Sequence, residues 1–145
     1  MKTLIIIRPY AVIRGLVGEI LTRFERHGIN ISGLKIMQLD KATAERLYEQ
    51  HRGKEYFNKL VEDMTSAPSA IAVLDTDVLD TDSAIGLVRK IVGDKDPTKA
   101  DMGTIRGDYG LRVDQNIIHA SDSKDAAERE IPLFFKKEEM CKYKV

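Results

Sequence analysis

The sequence predicts an α/β sandwich in which helices cover an antiparallel sheet, and three observations carry that expectation. Short aliphatic runs at residues 4–7, 70–74 and 117–118 have the length and character of buried strands. Between them lie stretches whose apolar residues recur at helical spacing. The resulting order, β, α, β, two helices, β, α, loop, β, α, has split βαβ character and places the strands in one sheet.

Each element has its own signal. The first strand is closed at Pro9, which offers no backbone donor. From Arg14 onward Leu16, Val17, Ile20, Leu21 and Phe24 recur on one helical face, Glu19 and Arg23 lie four apart on the other, and His27-Gly28 supplies a stop. Ile29 and Ile31 alternate, as do Leu34 and Ile36, but the two sets differ in phase across Ser32-Gly33, which a bulge at Gly33 would repair. Residues 42–50 and 56–66 read as two helices around Gly53, with Pro68 ending the second, and residues 70–74 form a central strand. The acidic stretch 75–82, DTDVLDTD, reads as a surface excursion; its spacing and missing glycine do not match a calcium loop. Residues 83–92 are helical up to Gly93, residues 93–115 lack sustained periodicity, and Ser123 caps a final helix that runs towards Ile131.

The whole chain reads as one domain, residues 1–145, long enough to bury roughly 70% of its unfolded surface. Basic and acidic residues balance at 23 each, so no global field attracts nucleic acid or a membrane, and an anionic ligand must be met by a local cluster. Cys141 is the only cysteine, and the apolar run before Arg8-Pro9 is too brief for a signal peptide or a span. A soluble, cytoplasmic protein is expected.

Candidate chemistry gathers in the C-terminal half. In NIIHASDS, residues 116–123, a strand ends on His119. A histidine after an apolar pair is commonly just a partly buried ring with a hydrogen-bond partner. Glu130, however, lies seven residues into the following helix, about 10 Å along its axis at 1.5 Å per residue, and a helix that turns back over the sheet can bring it to the ring. A carboxylate accepting from one ring nitrogen fixes the tautomer and leaves the other nitrogen neutral and nucleophilic. Arg8, Arg89 and Arg106 sit at joints between elements, where guanidinium forks suit phosphate oxygens, although each alone reads more readily as a solvated or ion-paired arginine.

GTIRGDYG, NIIHASDS and EREI, together with RGLVGEILTRFERHG and YEQHRGKEYFNKLV, resemble the nucleoside diphosphate kinases over nearly the whole chain. The resemblance implies a ferredoxin-like βαββαβ fold, assembly into homotetramers or homohexamers, and transfer of the terminal phosphoryl group from ATP or another nucleoside triphosphate to a nucleoside diphosphate. It also implies a ping-pong mechanism through a phosphohistidine. His119 corresponds to the nucleophile, Glu130 to its ring partner, Ser121 to the nearby hydroxyl and Tyr48 to the active-site tyrosine. Arg89 and Arg106 match phosphate-binding arginines, His51 a polar residue beside the phosphates, and Asn116 the asparagine at the sugar. Tyr56, Val113 and Leu60 stand where that family holds the base by stacking and apolar contact. Mg2+ is implied on the nucleotide phosphates, with no dedicated protein cage and no specific nucleic acid or membrane partner.

The chain departs from the family pattern at several places. Arg8-Pro9-Tyr10-Ala11 stands where that family reads Lys-Pro-Asp-Gly or Lys-Pro-Asp-Ala, so a longer, planar cation replaces the lysine that bridges sugar and phosphoryl group. Lys95 replaces a threonine that meets a phosphate, Met102 replaces a proline, and residues 75–82 resemble an insertion. These departures keep open an alternative in which the chain binds nucleotides with weak or no turnover and acts by assembly or interaction.

Overall fold

The computed structural model describes residues 2–143. Four strands form one antiparallel sheet: β1 (Lys2–Ile7), β2 (Asn30–Met37), β3 (Ser69–Asp75) and β4 (Ile118–Ala120), in the spatial order β2-β3-β1-β4. This is the ferredoxin-like arrangement, and it follows from burial. Ser69–Asp75 is buried throughout and pairs with both β1 and β2, as expected of a central strand. β1 alternates: Ile5 and Ile7 enter one core with Ile20, Phe24 and Val88, while Leu4 and Ile6 enter the other with Leu47, Met64 and Phe134. Helices therefore cover both faces. One layer contains α2 (Val17–Glu25) and α5 (Thr81–Val92), and the other α3 (Lys41–Leu47), α4 (Phe57–Thr65) and α7 (Lys124–Phe134).

The phase slip in the second strand is a bulge: the β2–β3 register shifts between Ile31 and Gly33, leaving Ser32 outside the ladder. Its carbonyl instead accepts from the Cys141 amide at 2.7 Å. The helix caps are short polar side chains that supply acceptors to otherwise unpaired amides. Asp80 accepts from the amide of Ser83, and Ser123 from that of Ala126. Asp80 thus gives part of the acidic stretch a structural task at the start of α5.

Three expectations need correction. Pro9 does not merely close β1; it opens a five-residue helix, α1 (Pro9–Ile13), where its fixed φ and missing donor cost nothing. The helix read across residues 42–50 breaks at Tyr48 into α3 and a 3-10 turn (Glu49–His51). The aperiodic stretch 93–115 contains α6 (Ile105–Tyr109), capped by Thr104, and a 3-10 turn (Val113–Gln115). Segments of five residues are too short to show a helical period. α6 is packed so closely that a Cβ at Gly107 would collide with the Asp101 carbonyl. Among the described residues no helix is long and apolar enough to cross a membrane.

Candidate active site

His119 lies on β4 directly opposite Ile6 of β1, and residues paired across antiparallel strands share a face. Ile6 belongs to the core beneath α3, α4 and α7, so the imidazole rises on that side. Sheet register therefore aims it at α7. There Glu130 Oε1 accepts from His119 Nε2 at 3.0 Å and from Ser121 Oγ at 2.7 Å. An ionised carboxylate only accepts, which places the ring proton on Nε2 and leaves the Nδ1 lone pair free.

Glu130 is 1% exposed. Burial pushes its pKa up, but the hydrogen bond and charge of His119, the Ser121 hydroxyl and the Arg129 guanidinium outweigh it, and the carboxyl sits below the usual glutamate range. Because the folded value is depressed, these contacts contribute to stability fully above the unfolded pKa near 4.3 and are lost as pH falls through the folded value. The advantage in Tm of the parent over Glu130→Gln, followed by calorimetry from about pH 7 to about pH 3, is therefore expected to shrink with acid. An advantage that widens with acid contradicts this assignment.

A cleft of about 260 Å³ opens over the imidazole. Tyr48, His51, Arg89, Lys95 and Arg106 line it together with His119 and Glu130. Tyr48 meets the His119 ring edge-on, with centroids 5.7 Å apart. It is 5% exposed, and burial drives its phenol up to about 12, so the hydroxyl stays neutral and able to donate. Among the described residues that hydroxyl has no hydrogen-bond partner, and Tyr48 is one of the residues lining the cleft. His51 Nδ1 is 2.6 Å from the Tyr56 hydroxyl, which ties the half-exposed Tyr56 ring to the cleft rim.

Arg106 is held on three sides by the protein itself. Its Nε donates to Asn116 Oδ1 at 2.6 Å, Nη1 to the Gly93 carbonyl at 3.1 Å and Nη2 to the Ile118 carbonyl at 2.8 Å. Gly93 occupies the left-handed region at φ 92°, and a Cβ there would strike Thr104. Three of the five guanidinium N–H groups are thus spent on positioning, and two remain for a ligand. Burial, then the neighbouring Arg89 and Arg8, pull its pKa down to about 10. It remains cationic at neutral pH, in a field that an anion would relieve.

Other expected residues lie around this centre. Asn116 is buried, and besides accepting from Arg106 its amide donates to the Lys95 carbonyl at 3.3 Å. Ser121 is buried behind Glu130 and does not itself line the cleft. Leu60 follows Tyr56 by one turn of α4 and packs against the core, whereas Val113 is 54% exposed on its 3-10 turn. Arg8 is placed differently from the other arginines: with Asn116 and Tyr10 it lines an adjoining cavity of about 190 Å³ rather than the His119 cleft. Arg8 as a residue is 9% exposed, and its guanidinium has no side-chain hydrogen bond or ion pair among the described residues, yet it is close enough to act electrostatically on Arg106 and Tyr48. Arg129 was not legible as a site residue, because residues adjacent on a helix project about 100° apart and nothing in EREI announces that the Arg129 guanidinium reaches the carboxylate of its own neighbour, Glu130.

The chain as a whole has known relatives. The family model described as nucleoside diphosphate kinase matches residues 1–140. A nucleoside diphosphate kinase of Sulfurisphaera tokodaii is 48% identical, covering 96% of this chain and 91% of that protein. One from Pyrococcus horikoshii is 49% identical, covering 98% and 89% respectively. Among solved structures, a halophilic nucleoside diphosphate kinase from Halobacterium salinarum in complex with CDP superposes with a TM-score of 0.92 at 38% identity, covering all of this chain and 93% of that one.

Proposed function

Since the chain belongs to the nucleoside diphosphate kinase family, a family of phosphotransferase enzymes, we propose that it moves the terminal phosphoryl group through His119, within one domain formed by residues 1–145. The observation that carries this reading is the pairing of His119 Nε2 with the buried Glu130, which leaves Nδ1 unprotonated at a cleft lined by Arg89, Lys95 and Arg106.

In the first half-reaction the Nδ1 lone pair attacks the terminal phosphorus of a nucleoside triphosphate such as ATP. The N–P bond forms as the P–O bond to the nucleoside diphosphate breaks. Nε2 keeps its proton, hydrogen-bonded to the Glu130 carboxylate, which stabilises the positive charge that develops in the ring. In the second half-reaction a terminal oxygen of another nucleoside diphosphate attacks the phosphorus, and the N–P electrons return to Nδ1. Phosphoryl transfer depends chiefly on positioning and charge neutralisation. Arg106 and Arg89 serve the phosphoryl oxygens, Lys95 adds a cation, and the neutral Tyr48 hydroxyl donates a hydrogen bond. His51 orients Tyr56, on which the base stacks with Val113 opposite and Leu60 behind; Asn116 and Arg8 meet the sugar. Stacking accepts any base, since every base has a π face.

Mg2+ fits this site as an ion carried by the nucleotide. The cleft is dominated by cations, and among the described residues no group of three or more His, Cys, Asp or Glu could hold a metal. Phosphate oxygens and water are the hard ligands Mg2+ prefers, and the bound ion would neutralise phosphate charge. Assembly into a homotetramer or homohexamer is supported by apolar side chains left exposed on edge strand β2, Leu34 at 52% and Ile36 at 63%. A cytoplasmic setting is supported by the lone, unpaired Cys141.

The binding-only alternative is not favoured, because family membership spans nearly the full chain and the departures at Arg8 and Tyr10 leave the His119–Glu130 pair and Arg106 in place. Initial velocities measured while ATP and a nucleoside diphosphate are varied together are expected to give parallel double-reciprocal lines, the signature of a covalent intermediate. Intersecting lines would point to direct transfer within a ternary complex.

A further inference from the structure

Glu130 has two oxygens, and only Oε1 faces His119 and Ser121. Oε2 is met by Arg129 Nη2 at 3.4 Å. That same guanidinium reaches across to a segment some eighty residues earlier: Nη1 donates to the Arg46 carbonyl at 3.0 Å, and Nη2 to Gln50 Oε1 at 3.2 Å. Arg46 and Gln50 flank Tyr48, whose ring rests edge-on against His119, and His51 follows directly. One side chain therefore touches both bodies that fix the imidazole, the carboxylate on α7 and the α3 segment that carries the tyrosine.

From this bridge we infer that Arg129 is a positioning residue for phosphoryl transfer, holding Glu130 in register with His119 Nε2 while latching the Tyr48–His51 segment to α7. The inference rests on the phosphohistidine reading above. Arg129 does not line the cleft, so its action is indirect. The planar fork matters because three acceptors, two of them on the partner segment, lie within its reach at once. An ammonium can keep the charge beside Oε2 but cannot span the same set. Part of the contact with Oε2 is charge, and the ion pair is shielded on the carboxylate side, with Glu130 1% and Arg129 42% exposed at their side chains.

The consequence is a split between rate and binding. Loosening the imidazole slows attack on phosphorus, since small misplacements of reacting groups cost on the order of tenfold to a hundredfold. Nucleotide affinity should move little, because the cleft cations Arg89, Lys95 and Arg106 lie outside the bridge that Arg129 makes.

The test compares the parent with Arg129→Met and Arg129→Lys in single-turnover phosphorylation by labelled magnesium-ATP, with the label mapped to its residue and the melting temperature of each protein recorded. Arg129→Met is expected to slow labelling of His119 at saturating ATP by roughly tenfold to a hundredfold, with half-saturation changed by less than about threefold. Arg129→Lys should recover part of that rate. Because the arginine side chain is two-fifths exposed, its truncation opens no buried cavity, and the lysine variant keeps the comparison available should the methionine variant be destabilised. Labelling within twofold of the parent in Arg129→Met, a loss confined to half-saturation, or a lysine variant no better than a folded methionine variant overturns the inference. A parent that takes no label on His119 overturns the phosphohistidine reading itself, and the role of Arg129 with it.

Discussion

Replacement of His119 by alanine is expected to abolish phosphoenzyme formation and to lower turnover by roughly 10⁶-fold, the scale seen when the nucleophile of a covalent mechanism is removed. The size of the effect follows from chemistry rather than from packing. His119 is only partly buried, and its deletion leaves the sheet register opposite Ile6 intact. Glu130 would lose one donor but keep Ser121 at 2.7 Å and Arg129 at 3.4 Å. The variant should therefore fold, bind nucleotide and fail to transfer, which circular dichroism, calorimetric titration and labelled ATP would report separately. Label retained in the alanine variant would move the nucleophile elsewhere.

The second large effect is expected at Arg106. Arg106→Ala should reduce the rate of phosphoryl transfer by about 10² to 10³, because one preorganised donor aimed at developing charge is commonly worth about 3 to 4 kcal/mol. Stability is the poorer readout. Losing the guanidinium orphans the Asn116 side-chain oxygen and the Gly93 and Ile118 carbonyls, at about 1 to 3 kcal/mol for a buried acceptor left without a donor. It also relieves repulsion from Arg89 and Arg8, the charges that, after burial, hold Arg106 down at about 10. These opposed contributions partly offset in the melting temperature, whereas in catalysis nothing offsets the lost donors. Arg106→Lys should recover charge without position, and so remain far below the parent. A variant whose rate stays within about threefold of the parent would remove Arg106 from the machinery.

Sequence patterning made the sheet and the longer helices legible, because burial imposes its own periodicity. Ile5 and Ile7 alternate with Leu4 and Ile6 in two cores, and the phase slip at Ser32-Gly33 is the bulge in β2. What stayed hidden was short or distant. Five residues cannot display a helical period, so α1 and α6 were lost in apparent loops. The pair of His119 and Glu130 was legible because eleven residues of strand, turn and helix connect them locally. The contacts of Arg129 with Arg46 and Gln50 span 83 and 79 residues, and only the packing of α7 beside α3 creates them. Arg8 shows the same limit: its place at the end of β1 was readable, but its seat in the cavity beside Asn116 depends on how α1 turns after Pro9.

The central claim is that Glu130 accepts a hydrogen bond from Nε2–H and holds the proton there, so that Nδ1 of His119 carries the phosphoryl group. The most direct measurement is phosphorus NMR of the enzyme after reaction with magnesium-ATP, with the modified peptide identified by mass spectrometry, followed by addition of an unlabelled nucleoside diphosphate. A single acid-labile phosphate on Nδ1 of His119, discharged to give the corresponding triphosphate, is the predicted result. A phosphate on Nε2, on another residue, or one that the diphosphate fails to discharge would contradict the account.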